Sequence, residues 1–452
     1  MVRLSSLGLI VMLLGVGHRC SLHAQERWPG FLGPVAAHVT ADGLPLRWSP
    51  EQGVAWVRPL TGHGQSSPVV WDERAWVTSV EGPQKDRYYV HCVHIRDGQV
   101  AWSFDFPNSH PQKNSYYVSR AAPTPIVDEE RVVAFFESGD LVALTHDGDL
   151  LWQRDVTEEI GPIQAEFGIG ASPCQTADTV YLLIEHELSG WLMAIDKASG
   201  STRWKVPRAP AQSWSSPAVV QVGTEQYLVV SSSGPVKGYD PDSGAELWSV
   251  DDIGGNTGCS PIDFGHGRFL VGASPGRDGK HATLAEKSNC LIQISPQDGS
   301  HASKRWFAKG AYPSWASPIL HRGLAYWLNR AGVLFAFDAE TGEQVFAERT
   351  PQSCWATPLG IGDRVYLLGK DGLVTVVQAG REYQVLAENV TWNEQTLPPE
   401  QPLEEEDPQR QRTSAMFSKP TLYGYAVTSD AFLVRVGNAL ICCRSQPTTN
   451  PQ

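Results

Sequence analysis

One short pattern recurs along the chain and constrains its fold more than any other feature. An apolar run leads to an Asp and a Gly, and an aromatic residue follows the Gly by four positions, as in Ala194-x-Asp196-xxx-Gly200-xxx-Trp204. Asp and Gly form tight hairpin turns, because Gly adopts positive φ without steric cost. The pattern therefore predicts a series of β-hairpins. The aromatic residues of the repeat, which we expect to pack between neighbouring sheets, are Trp56, Trp102, Trp152, Trp204, Trp248, Trp306 and Phe346; the spacing is shorter before Trp56 and stretched before Trp306.

A second pattern, a small residue followed by Pro, precedes an apolar run in each repeat. The small residues are Ser67, Thr124, Ser172, Ser216, Ser260, Ser317 and Thr357, with a weak eighth copy at Lys419-Pro420. A Pro that begins a strand removes no ladder hydrogen bond. The prolines are 40 to 62 residues apart, and the intervals hold several short strand-like runs. Repeats of this length with four strands are typical of propeller blades. We predict an all-β, eight-bladed propeller of four-stranded antiparallel blades; the alternative has seven blades and an appendage.

The two ends of the repeat region complement each other. The final unit has three strand-like runs and lacks the strand that carries the aromatic residue. An orphan copy of that strand, from Gly53 to Trp56, lies near the N-terminus. We predict that residues 52–56 form the outer strand of the last blade, because this closes the ring without a broken edge.

The termini and two insertions complete the domain organisation. Residues 1–24 have the charged start, apolar stretch and small final residue of a signal peptide, which predicts a periplasmic or otherwise extracytoplasmic monomer. Arg19 argues against lipid attachment at Cys20. The propeller spans 25–444, with insertions at 274–289 and 391–412, and a disordered tail at 445–452. The second insertion contains the acidic run Glu404–Asp407, which is either a solvated loop or a contact arm for a basic partner.

Charge and motif content exclude several functions. The 36 Lys and Arg against 49 Asp and Glu give a net charge of −13, which disfavours nucleic-acid partners. Beyond the N-terminus no apolar run has the length of about 18 residues that a membrane helix needs. The cysteines are scattered without zinc-ligand spacing, and the adjacent pair Cys442-Cys443 is interpreted as two neighbours in one strand.

The repeated frame resembles the tryptophan-docking motif of the pyrroloquinoline-quinone (PQQ) repeat superfamily, over nearly all of the mature chain. The resemblance implies an eight-bladed propeller and leaves two functions open. One group of the superfamily is the periplasmic quinoprotein dehydrogenases, which hold PQQ and calcium. The other is the non-catalytic propellers similar to the scaffold subunit of the outer-membrane β-barrel assembly machinery.

The residues just before the inner strands are expected to ring one mouth of the central channel. They are His63, Ser66, Tyr117, Arg120, Glu166, Trp214, Asn256, Trp315 and Trp355. By resemblance to the dehydrogenases, Glu166, Trp214 and Asn256 would bind the cofactor, with Glu166 and Asn256 on calcium. The dehydrogenases also use a catalytic Asp, and no Asp stands in the inner-strand segments around Trp315 and Trp355. We therefore favour a non-enzymatic, cofactor-free scaffold that binds other envelope proteins through its channel-mouth loops, with no catalytic or metal residues. The alternative is a PQQ- and calcium-dependent dehydrogenase.

Overall fold

The computed structural model describes residues 26–33, 43–276, 279, 281–295, 297, 299–313, 315–393, 395–414 and 417–445. The predicted signal peptide and all but the first residue of the predicted tail lie outside these ranges. The first sixteen strands are β1 (Arg27–Trp28), β2 (Val54–Pro59), β3 (Val69–Trp71), β4 (Arg74–Glu81), β5 (Arg87–His94), β6 (Val100–Pro107), β7 (Ile126–Val127), β8 (Arg131–Phe135), β9 (Asp140–Thr145), β10 (Leu150–Asp155), β11 (Cys174–Gln175), β12 (Thr179–Glu185), β13 (Gly190–Asp196), β14 (Thr202–Arg208), β15 (Ala218–Val222) and β16 (Glu225–Ser231).

The second half of the chain continues the same alternation of short strands. These strands are β17 (Val236–Tyr239), β18 (Glu246–Val250), β19 (Arg268–Val271), β20 (Cys290–Ile294), β21 (Ala302–Phe307), β22 (Ile319–His321), β23 (Leu324–Leu328), β24 (Val333–Asp338), β25 (Gln344–Arg349), β26 (Leu359–Ile361), β27 (Arg364–Leu368), β28 (Leu373–Gln378), β29 (Val385–Val390), β30 (Leu422–Val427), β31 (Ala431–Val436) and β32 (Ala439–Arg444). The short helices are α1 (Thr157–Ile160), α2 (Ala282–Ala285) and α3 (Pro408–Thr413).

The strands form eight antiparallel sheets, which confirms the predicted eight-bladed propeller. Six blades have four strands, and two depart from that number. Blade 1 (β3–β6) gains β1 as a fifth strand beside its inner strand β3. Blade 5 has only β19, β20 and β21, because the segment before β19 is bonded to it only at the turn, from Phe264 N to Arg268 O and from Arg268 N to Gly265 O, instead of through a ladder.

The last blade closes the ring as the orphan strand predicts. Strand β2 pairs with β32, with Val54 opposite Cys443 and Trp56 opposite Cys442. The strand extends to Pro59, beyond the predicted end at residue 56. One sheet thus joins residues from both ends of the chain, and the two adjacent cysteines are buried neighbours in β32.

The sequence interpretation assigned the eighth copy of the small-Pro pattern to the wrong residues. In blades 1 and 7 the inner hairpin pairs Trp71 with Arg74 and Ile361 with Arg364. The corresponding turn of blade 8 is closed by the bond from Thr428 N to Ala431 O. Counted back from these turns, Gly424 and Tyr425 occupy the small-residue and Pro positions. Lys419-Pro420 therefore lies ahead of the inner strand, in the loop that leads to it.

The small residues of the motif form a hydrogen-bonded relay around the channel. In each of blades 1 to 6 the backbone N–H of this residue donates to the hydroxyl of its counterpart in the next blade, at 2.8 to 3.0 Å. The relay runs through Ser67, Thr124, Ser172, Ser216, Ser260, Ser317 and Thr357. All these groups are buried, so the hydroxyl supplies a partner that the N–H needs. The repeated Ser or Thr is therefore needed for its hydroxyl as well as for its small size.

Five Trp residues of the repeat each join their own blade to the following one, at five of the eight junctions between blades. Each ring lies against the turn Gly of the following blade, so that a Cβ on that Gly would stand under 3 Å from the ring. Each indole Nε1 also donates to a backbone carbonyl there, at 2.8 to 3.1 Å. The five are Trp56, Trp102, Trp152, Trp204 and Trp306, whose carbonyl partners belong to Ile95, His146, Lys197, Pro241 and Ala339.

Two members of the set lack this hydrogen bond. The Trp248 ring lies against Gly238 of its own blade and beside Phe269 of the next, and its buried Nε1 has no partner among the described residues. Phe346, which has no N–H, contacts the Tyr383 ring at 5.8 Å.

The N-terminal segment Glu26–Gly33 fills the channel from the face of the inner hairpin turns. The Glu26 carboxylate accepts a hydrogen bond from Ser429 N at 2.7 Å. The Pro29 carbonyl accepts bonds from Val127 N and from the Gln175 side chain. This segment was not predicted from the sequence. In the part of the chain that the structure describes, no helix has the length and apolarity to cross a membrane.

Candidate functional site at the channel mouth

The insertion between blades 7 and 8 covers the mouth opposite the N-terminal segment. We call its residues 395–414 the strap. It begins with a turn closed by the bond from Thr396 N to Asn393 O and then has no regular secondary structure before Asp407, whose carboxylate caps α3 by accepting bonds from Gln409 N and Arg410 N. The other insertion forms α2 beside blade 5, where Asn289 fixes it through bonds to both backbone groups of Ala273.

The strap is fixed to loops of blades 8, 1 and 2. Glu400 bonds to His63 at 3.0 Å and accepts a bond from Asn438 N at 2.8 Å. Further along, the Tyr116 hydroxyl bonds to Leu403 N at 2.9 Å. The contacts join residues about 300 positions apart, so the strap is folded back onto the start of the propeller.

Most of the acidic run serves this attachment. Glu405 accepts bonds from the Ser115 hydroxyl and Tyr116 N, and Glu406 pairs with Lys113 at 2.7 Å. Asp407 caps α3. In the described part of the chain, only Glu404 of the four has no such contact. Only Glu406 of the four is paired with a cation in the ranges that the structure describes, so the run is held against the propeller while most of its negative charge remains.

Four aromatic side chains lie at the mouth beside the strap, those of Tyr117, Trp315, Trp355 and Phe417, and we call them the aromatic floor. Trp315 and Trp355 are edge to face with ring centroids 4.9 Å apart. Phe417 lies 6.2 Å from Trp355 and 5.0 Å from Tyr117, and the Tyr117 hydroxyl donates to Arg410 O at 2.8 Å. Two of the predicted mouth residues, Trp355 and Tyr117, thus meet at Phe417, a residue for which the sequence gave no signal, and Trp315 joins them through Trp355.

The residues suggested for calcium and PQQ are engaged in other contacts. Asn256 is fully buried, and its amide bonds to Gly234 N, Gly234 O and the Ser231 hydroxyl. Glu166 faces Arg410 at 3.4 Å, and nothing joins it to Asn256. The Trp214 indole donates to Gly168 O at 3.2 Å. No group of three or more His, Cys, Asp or Glu among the described residues is arranged to hold a metal ion. The residues present do not form the ligand set that the dehydrogenase resemblance implies.

The remaining mouth residues lie near the seam between blades 8 and 1. Burial is the main cause that lowers the pKa of His63 to about 4, with a further contribution from the Arg120 guanidinium, while Glu400 opposes it. Burial alone would raise the pKa of Glu400, but the His63 contact, Asn438 N and Arg120 outweigh it and bring it to about 2. At neutral pH the pair is a neutral imidazole and a carboxylate. Ser66 is a buried acceptor for Thr78 N.

Comparison with solved structures finds the same architecture at low sequence identity. BamB from Moraxella catarrhalis is 13% identical, with a TM-score of 0.58 over 88% of this chain and 99% of that one. A quinohemoprotein alcohol dehydrogenase from Comamonas testosteroni is 12% identical, with a TM-score of 0.57 over 94% of this chain and 82% of that one. These similarities concern the fold and do not separate the two functions.

Sequence comparison, unlike the structural comparison, finds a match to one family. The outer membrane protein assembly factor BamB of Alkalilimnicola ehrlichii is 23% identical over 222 residues, which are 48% of this chain and 51% of that protein. The match thus spans about half the length of this curated relative. A family model described as outer membrane protein assembly factor BamB matches residues 27–168, 164–263 and 234–424. Because these ranges cover most of the propeller, the chain belongs to this BamB-like family of PQQ-repeat propellers.

Proposed function

We propose that the chain is an exported, non-enzymatic scaffold that supports protein assembly in the cell envelope and works as a monomer without PQQ or calcium. The observation that carries this proposal is the occupancy of the channel mouth by the chain's own residues. Arg410 of the strap contacts Tyr117 of the aromatic floor and faces Glu166, Phe417 packs on Tyr117 and Trp355, and the Asn256 amide is bonded to Gly234 and Ser231. The family membership supports the same function.

The partner surface in this proposal is the strap-bearing face. Trp315 is 37% exposed there, and the Arg330 guanidinium lies 5.4 Å from its ring centroid. Exposed Trp and Arg are the residue types that contribute most energy to protein interfaces. They are held on a rigid ring of blades, so little conformational entropy of this surface would be lost when a partner binds.

The test combines a gene deletion with complementation in the native host. Deletion should lower the amount of folded outer-membrane β-barrel protein, measured by heat-modifiable gel mobility. The wild-type gene and Glu166→Gln should restore it, whereas the double change Trp315→Ala and Arg330→Ala should not, at equal protein level. Leu150→Ala is the matched control, because Leu150 is 49% exposed on an outer strand away from this face.

Two results would contradict the proposal. One is a deletion strain with normal outer-membrane proteins. The other is dye reduction by the purified protein with alcohols or sugars after addition of PQQ and calcium, if that turnover disappears in Glu166→Gln. The second result would support the dehydrogenase alternative.

A further inference from the structure

A polar cleft lies between the strap and the seam of blades 8 and 1. Its volume is about 670 Å³. The strap residues Pro399 to Glu404 form one wall, and the propeller contributes His63, Asn114 and Arg120. None of the contacts described for the aromatic floor involves these three propeller residues.

Arg120 is a buried cation without a partner. The residue is 3% exposed, and its guanidinium makes no hydrogen bond or ion pair with the described residues. Its nearest specific contact is the Tyr116 ring, 5.5 Å from the guanidinium carbon. Leaving a charge buried and unpaired is costly. The position therefore suits an anion that enters the cleft.

The charges that line the cleft are of both signs. Arg120 and Lys113 share the lining with the carboxylates of Glu81, Glu400, Glu404 and Glu406. Glu400 is bonded to His63 and Asn438 N, and Glu406 is paired with Lys113, so neither carboxylate is hydrogen-bonded to the Arg120 guanidinium. A lining with one unbonded cation among several carboxylates suits a ligand that itself carries both charges.

Two buried acceptors in the same cleft lack donors. Because the Glu400 carboxylate accepts, the Nδ1 atom of His63 must carry the hydrogen of their 3.0 Å bond. The Nε2 atom of neutral His63 is then a lone-pair acceptor, and it is buried without a partner. The Oδ1 atom of Asn114, a residue 7% exposed, is also unpartnered, while its Nδ2 donates to Gly82 O. Buried polar groups of this kind normally have partners.

We propose that this cleft binds a small zwitterion, a carboxylate with an N–H donor beside it, as in a free amino acid or the carboxyl end of a short peptide. The carboxylate pairs with Arg120, and the N–H group donates to His63 Nε2 and Asn114 Oδ1. Glu81 and Glu404 line the rim and have no cationic partner in the described ranges, which disfavours polyanions such as citrate. This binding activity goes beyond the scaffold function and does not depend on it.

The experiment screens the purified full-length protein by thermal shift and then isothermal calorimetry. The probes are the twenty amino acids singly, triglycine, triglycine amide and citrate. At least one amino acid or triglycine should give a saturable rise in melting temperature, by about 3 °C at a hundredfold excess over Kd. Citrate and triglycine amide should give none. Binding of amino acids identifies a free metabolite as the source, and binding of triglycine alone identifies a peptide end.

Variants and a modified ligand locate the site. Arg120→Met should weaken binding at least tenfold and leave the melting temperature of the free protein unchanged or higher, because an unpaired buried charge is removed. Arg27→Met, which removes another guanidinium that lies near an aromatic ring, that of Trp71, should leave binding unchanged. Should Arg120→Met fail to fold, the methyl ester of the bound amino acid gives the same information, because it lacks the carboxylate and should not bind. No response to any amino acid or to triglycine, or equal binding of the ester, overturns the proposal.

Discussion

Replacement of Trp204 tests whether the repeated Trp residues hold neighbouring blades together. Its ring covers Gly244 of the next blade and its Nε1 donates to Pro241 O at 2.9 Å. Loss of the partly buried ring costs about 1.5–3 kcal/mol, and loss of the hydrogen bond costs about 1 kcal/mol more. Trp204→Ala should therefore lower the free energy of unfolding by roughly 2.5–4 kcal/mol, close to the usual range for a large-to-small change. For roughly 400 ordered residues this corresponds to a decrease in melting temperature of about 4 °C.

A pair of Phe variants separates the hydrogen bond from the ring. Trp204→Phe should cost about 1 kcal/mol, because the Pro241 carbonyl loses its donor. Trp248→Phe removes an N–H that has no partner among the described residues, so it should be neutral or stabilise the fold by about 1 kcal/mol. Calorimetry under identical conditions measures both. Equal losses in the two Phe variants would refute the assignment of the indole hydrogen bond as the link between blades.

Three further changes probe the ring, its closure and its response to pH. Ser216→Ala leaves the buried N–H of Ser172 unpaired and should cost about 1–3 kcal/mol in urea unfolding, whereas Ser303→Ala, at an exposed position, should change stability by less than about 0.5 kcal/mol. Removal of residues 25–60 deletes β2 and should unfold or aggregate the protein in size-exclusion chromatography; an unchanged melting temperature would contradict the closure. Burial is the first cause that lowers the pKa of His91 to about 4 from 6.5, so the unfolded chain takes up the proton first as pH falls. Stability is full above pH 6.5 and decreases toward pH 4, and His91→Gln should show a smaller decrease in melting temperature between pH 7.5 and 5.

The blades could be predicted from sequence because local turn chemistry repeats in them. The Gly200-to-Trp204 spacing fixes a hairpin and the following strand, and the same reasoning identified β2 as the missing strand. The interpretation failed where a local pattern was coincidental. Lys419-Pro420 keeps only the Pro of the motif, and the inner hairpin of blade 8 places Gly424 in the small-residue register.

The channel-mouth interactions could not be predicted, because they depend on contacts between distant residues. His63 and Glu400 are 337 positions apart, and neither belongs to a repeated pattern. The sequence did mark residues 391–412 as an insertion and Arg120 as a mouth residue. It gave no sign that the insertion folds back across blades 8, 1 and 2 or that Phe417 joins the aromatic floor.

The seam around blade 8 explains why unusual polar contacts gather near His63. The hydroxyl relay reaches Thr357 of blade 7, and Gly424 cannot continue it because it has no hydroxyl. The ring is instead completed there by the pairing of β2 with β32 and by the Glu26 contact with Ser429. The strap adds the Glu400 contacts on the opposite face. In the other blades one repeated hydroxyl stabilises the junction to the next blade. At the seam, contacts that occur only once in the described chain take its place. These contacts bring buried charges together beside the strap cleft, so this is where a propeller built from repeats acquires an asymmetric site.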